Sequence, residues 1–144
     1  MSIFPTKILL ATDGSRDAEL ALSTSVDLAD STKSELHVVT VAPGYPSYDV
    51  RRPEVVEQLR EQAEEILEDQ VKKIEQMGGK VTEKHLRIAG RHRADQIVEV
   101  AEEKEVGLIV MGSRGLGGVR RALMGSVSDS VVRHAHCPVL IVRE

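Results

Sequence analysis

Aromatic side chains are nearly missing from this chain: it has no tryptophan, one phenylalanine and two tyrosines in 144 residues. The core must therefore be aliphatic, and the stacking platforms that hold single-stranded nucleic acid have no rings to build them. Cysteine is almost as scarce. The lone Cys137 excludes an internal disulfide and fits a reducing, cytoplasmic setting. No apolar run approaches the length of a membrane span. Residues 1–7 lack the charged start and long apolar stretch of a secretory signal. The expected location is the cytoplasm, with no membrane partner. Positive charge is not in excess either: 19 Lys and Arg stand against 23 Asp and Glu, a net charge of −4. A broad basic face for DNA is excluded on that balance, and no nucleic-acid partner is expected. Finally, Gly-Lys-Ser and Gly-Lys-Thr occur nowhere, so there is no Walker-type phosphate loop and no phosphate-loop lysine for catalysed phosphoryl transfer.

What is present reads as an ordinary globular protein, 41% hydrophobic and 29% charged. Length predicts one domain over 1–144. Short apolar runs at 7–11, 36–41, 81–88, 106–111 and 138–142 predict strands, the third more polar and suited to an edge. Between them, helical spacing of apolar residues predicts helices over 16–30, 54–77, 94–104 and 126–134. Ser15 is the expected N-cap of the first, with Asp17 and Glu19 in its first turn, and Gly78-Gly79 ends the second. The alternation β-α-β-α-β-α-β-α-β predicts an α/β fold: a doubly wound, five-stranded parallel sheet with helices on both faces. The expected strand order is 3-2-1-4-5. Ligands of such sheets bind beyond the carboxyl ends of the strands where the order reverses, here between strands one and four.

The most informative stretch lies at that point. Five of the eleven glycines fall between Gly112 and Gly125, directly after the fourth strand and before a Gly-Ser that opens a helix. Glycines permit close backbone approach, and the helix start adds partial positive charge, so the arrangement suits a phosphate group. Arg114 within the loop carries a matching charge. A plain surface loop is the alternative, and Arg120 and Arg121 fit a solvated or phosphate-steering rim. The 43–53 segment, with Tyr45 and Tyr48, is long enough to serve as a binding loop or lid.

These residues resemble the universal stress protein family over nearly the whole length. The matching segments are Ile8-Leu9-Leu10-Ala11-Thr12-Asp13-Gly14-Ser15, Leu36-His37-Val38-Val39-Thr40-Val41 and Cys137-Pro138-Val139-Leu140-Ile141-Val142. The family's nucleotide signature, Gly-x2-Gly-x9-Gly followed by Ser or Thr, is met by Gly112, Gly115, Gly125 and Ser126. The resemblance implies an adenine nucleotide alpha hydrolase-like fold and binding of ATP, ADP or AMP with little or no turnover. It implies a role in stress adaptation through protein partners, and Mg²⁺ or Mn²⁺ carried with the nucleotide. By position it implies that Ala11, Thr12 and Asp13 line the pocket, with Asp13 meeting the ribose or a phosphate-bound metal. Many relatives have proline where this chain has Ala11. Val41 walls the adenine, and Met111 and Gly112 floor the site. Ser113, Arg114 and Gly115 wrap the ribose and phosphates, with Gly117 and Gly118 in the same loop. Gly125, Ser126 and Val127 receive phosphate. No catalytic residue is assigned. A slow Mg-dependent ATPase using Asp13 and Arg114, and a dimeric interaction module with an empty pocket, are the competing functions.

Other candidates carry plainer explanations. His92 is expected on an exposed loop. His134, His136 and Cys137 look like metal ligands on paper but have no carboxylate nearby in sequence. The last strand, apolar on both faces, would lie at a sheet edge and invites pairing with a second copy. Relatives are similar in dimerising there, so a homodimer through Val139–Val142 is expected.

Overall fold

The computed structural model describes residues 2–44, 51–113 and 125–143. In chain order it runs β1 (Lys7–Ala11), α1 (Arg16–Thr32), β2 (Glu35–Ala42), α2 (Pro53–Gln76), β3 (Glu83–Ile88), α3 (Arg93–Glu103), β4 (Leu108–Gly112), α4 (Ser126–His134) and β5 (Val139–Val142). All five strands are parallel, in the order β3-β2-β1-β4-β5. The order expected from the sequence is the one found.

Successive side chains of a strand point to opposite faces, and the apolar residues divide accordingly. Ile8, Leu10, Leu36, Val38, Leu108 and Val110 pack with Ala21, Leu22 and Val26 of α1 and Leu67 and Ile74 of α2. Leu9, Ala11, Val39, Ile109 and Met111 turn the other way, onto Ala94, Ile97, Val100 and Ala101 of α3 and Val131 of α4. Because strands β1 and β4 are covered on both faces, they read as unbroken apolar runs rather than alternating ones.

The element ends differ from expectation by small amounts with local causes. Strand β4 starts at Leu108: the Val106 amide still bonds back to the Ala101 carbonyl of α3 (2.9 Å), and the Gly107 amide is the one that already reaches β1, at the Lys7 carbonyl (2.9 Å). Helix α1 continues to Thr32 and stops on Lys33 in the left-handed region (φ 61°), where no glycine marks the end. The Gly78-Gly79 stop is as expected, with the Gly79 amide bonded to the Ile74 carbonyl at 2.9 Å.

Candidate functional site

Where β1 ends, the chain turns sharply into α1. Gly14 takes φ +76°, a conformation that a side chain would strain. The Asp13 carboxylate accepts from the Ser15 amide (2.9 Å), and the Ser15 hydroxyl accepts from the Ala18 amide (3.3 Å), so this helix start is capped from within. Thr12 is buried and committed: its amide donates to the Val39 carbonyl (3.0 Å), and its hydroxyl donates to Gln70 Oε1 (2.7 Å) and accepts from the Gly14 amide (3.2 Å). Gln70 in turn donates to Glu19 (3.1 Å), which also receives Lys73 at 2.7 Å. This chain of bonds fixes the end of β1 against α1 and α2.

The end of β4 lies beside the same helix start. A Cβ on Gly112 would stand 2.8 Å from both the carbonyl carbon and the Cβ of Asp17, so only glycine allows this approach. Ser113 follows and is held at every polar group. Its amide donates to the Val142 carbonyl (2.9 Å) and its hydroxyl to the buried Asp17 carboxylate (2.7 Å). Its carbonyl accepts the Gly125 amide and the Ser128 hydroxyl (2.7 Å). The chain on either side of residues 114–124 is thus pinned together at one point, and α4 begins there.

Gly125 is the N-cap of α4, in extended backbone (φ −76°, ψ 170°), and offers no side-chain cap. The first-turn amides of Ser126, Val127 and Ser128 have no hydrogen-bond partner among the described residues. Such a helix start carries about half a positive charge on unpaired N–H groups, and an anion satisfies both. Two helix N-termini therefore lie side by side, linked through Ser113 and Asp17. That of α1 is capped by its own side chains, and that of α4 is not.

The apolar residues expected at the base (Val41), at the wall and floor of the pocket (Ala11, Met111) and at the phosphates (Val127) share one cluster. Ala11 and Met111 are buried in the α3/α4-side cluster, and Val41 and Val127 pack against it half-buried. Asp13, Gly112 and Gly125 are half-buried, while Ser126 is exposed. Arg114, Gly115, Gly117, Gly118, Arg120 and Arg121 lie outside the described residues, as do Tyr45 and Tyr48. Three scaffold contacts were not legible in the sequence: that of Asp17, expected only as a first-turn acid of α1, and those of Gln70 and Ser128. Gln70 had a usable signal, since Ala63, Leu67, Gln70 and Ile74 follow the helical spacing and all four are buried. Asp17 and Ser128 had none, because their partners are distant in sequence.

Of the remaining candidates, His92 is exposed just before α3. His134 bonds its own helix through the Ser130 carbonyl (2.8 Å), and His136 pairs with Glu102 at 2.8 Å. Cys137 is half-buried, and that burial pushes its thiol above the usual value. Among the described residues no helix is long and apolar enough to cross a membrane.

Comparison with known proteins agrees with this architecture. A model of the universal stress protein family matches residues 5–143. A universal stress protein of Methanocaldococcus jannaschii is 36% identical over 146 residues, covering 96% of this chain and 82% of the relative. Among solved structures, a universal stress protein of Lactobacillus plantarum superposes with a TM-score of 0.82 at 25% identity, over 99% of this chain and 100% of that one. A universal stress protein from Archaeoglobus fulgidus in complex with dAMP gives 0.70 at 26% identity, over 97% and 99%. A further universal stress protein structure, in complex with cAMP, gives 0.69 at 25% identity, over 99% of this chain and 98% of that one. This chain belongs to the universal stress protein family.

Proposed function

We propose that the chain binds an adenine nucleotide, ATP foremost, in the crevice between the carboxyl ends of β1 and β4, and that it acts as a regulatory protein with little or no turnover. One observation carries this reading: the uncapped start of α4 is fastened through Ser113 to the switch point of the sheet, beside the Asp13 turn. The amides of Ser126 and Val127 receive the phosphates there, joined by the Gly115 loop with Arg114, Gly117 and Gly118. Ala11, Val41 and Met111 form the apolar wall for the base. Thr12, Gly112, Ser113 and Gly125 act by positioning, since their polar groups or close contacts already serve the scaffold. The related proteins with dAMP and cAMP support the adenine class of ligand.

Asp13 carries the carboxylate that a nucleotide-bound Mg²⁺ or Mn²⁺ would meet, and it also serves the Ser15 turn. The chain's own groups supply binding and orientation; nothing in the described crevice offers the lysine that stabilises a transferring phosphoryl group. The role in stress adaptation follows the family and needs protein partners to act on. A homodimer through β5 completes the proposal, for that strand is the sheet edge and its Leu140 is exposed.

Mass spectrometry of the denatured, purified protein tests the binding directly. An adenine nucleotide should be released in near-stoichiometric amount, or else bind on calorimetric titration of ATP, ADP and AMP. Neither release nor binding would leave the interaction module with an empty pocket as the better reading.

A further inference from the structure

We propose that His37, His85 and Glu83 form a binding site for one transition-metal dication of the zinc class. The site lies on the α3 side of β2 and β3, apart from the nucleotide crevice. Parallel pairing sets Glu83 opposite His37 and His85 opposite Val39, so the three side chains share one face on neighbouring strands. Their ligating atoms all lie within 4.8 Å of one another. The two imidazoles are stacked, 3° between planes and 5.9 Å between centroids, so one ring turns about its Cβ–Cγ bond when both in-plane lone pairs meet one ion.

The plain alternative is a pair of core histidines satisfied by neighbouring carboxylates, but those carboxylates stand 3.5 and 3.9 Å from the His37 nitrogens and close no hydrogen bond. His37 is 2% exposed, yet neither of its ring nitrogens has a hydrogen-bond partner, and Nε2 of His85 has none either. Buried imidazole nitrogens are costly to leave unpaired. A bound cation takes one nitrogen of each ring, Nδ1 of His37 on the Glu83 side among them. Two histidines and one carboxylate are a recurrent zinc set, with a remaining position open to water.

The surroundings fit the same purpose. Glu83 Oε2 stands 3.5 Å from His37 Nδ1, about the separation of two donors on one tetrahedral ion. The other oxygen, Oε1, is held by Lys104 at 3.4 Å, which orients the carboxylate without occupying the face turned to His37. On the far edge of the His37 ring the Glu35 carboxylate lies 3.9 Å from Nε2, too far for a hydrogen bond, and its negative charge favours a cation nearby. The nearby cations have other partners: the Lys7 ammonium donates to the Lys104 carbonyl (3.2 Å), and Arg87 pairs with Glu103 (2.7 Å). Glu83 is about half exposed, which gives an ion its way in. An ion there clips the edge strand β3 to β2.

The test uses the full chain, stripped with chelator and free of nucleotide, titrated calorimetrically with zinc chloride. One equivalent should bind, and cobalt substituted for zinc should give the visible absorption of a tetrahedral centre. His85→Asn and Glu83→Gln should each weaken zinc binding at least tenfold. His136→Ala, outside the cluster, should leave it unchanged, and magnesium chloride should give no saturable heat. Zinc should raise the melting midpoint of the wild type and not that of His85→Asn. Absence of stoichiometric zinc binding, or undiminished affinity in either cluster variant, would overturn the proposal. Loss of binding in His136→Ala would do the same.

Discussion

Gly112 has no room for a methyl group. Its neighbours are the carbonyl carbon and Cβ of Asp17 at 2.8 Å and the Ala18 amide nitrogen at 2.9 Å from the place a Cβ would take, and two of those three atoms are backbone at the start of a helix. They cannot rotate away as a flexible side chain would. Gly112→Ala should therefore force β4 and α1 apart and lower the unfolding free energy by about 1–3 kcal/mol in denaturant titration, the usual cost of overpacking. An unchanged midpoint would mean that the two elements are not in contact as described. The same crowding gives Gly112 a packing reason of its own, beside the role proposed for its loop in holding the nucleotide. Ser113 shows the complementary case. The sequence reading gave it to the ligand as part of a wrapping loop, whereas its amide, hydroxyl and carbonyl are all taken up by Val142, Asp17, Gly125 and Ser128. A serine after a strand looks the same in sequence whether it faces a ligand or a buried carboxylate.

At the scale of elements, α2 is joined to the rest by polar as well as apolar contacts. Gln70 is fully buried and accepts from Thr12, while donating to Glu19 of α1. Gln70→Leu keeps the apolar fill but leaves the Thr12 hydroxyl without its acceptor. It should destabilise the fold by about 1–3 kcal/mol, read as a lower denaturation midpoint with unaltered circular dichroism. Full stability in that variant would show the bond to be dispensable. The elements themselves were legible in the sequence, because period-two and helical spacings are local properties: all nine were placed, with β1 and α4 at their observed bounds. Strand order followed from the alternation of helices and strands together with right-handed crossovers, which leave few topologies. What escaped was pairing across distance. The stack of His37 on His85 depends on the register of β2 with β3, which no run of residues along one strand reveals. A histidine between Leu36 and Val38 in a buried strand was the single local hint. The start of β4 comes at Leu108 and not at Val106 because the Val106 amide is still bonded back to Ala101 of α3.

For the whole molecule, the sheet has two edges with different characters. Strand β3 is polar and mostly solvated, while β5 is apolar throughout, with Val139, Ile141 and Val142 half-buried and Leu140 exposed. An apolar edge left unpaired is a template for a second chain. In the proposed homodimer Leu140→Lys places a charge on that edge and should convert the protein to monomers in sedimentation experiments at micromolar concentration. A wild-type protein that is already monomeric there would remove the dimer from the account.

The central claim is that main-chain amides at the start of α4 hold the phosphates of an adenine nucleotide, and one substitution isolates it. Ser126 is the first residue of that helix, where proline fits without breaking an intrahelical bond, and Gly125 before it already has the extended backbone that a following proline requires. Ser126→Pro thus deletes one ligand-facing amide and leaves the fold intact. Calorimetric titration of ATP into both proteins is the direct measurement. The account predicts clear binding by the wild type and at least a tenfold loss in Ser126→Pro at an unchanged melting temperature. Equal affinity in the two proteins would contradict it.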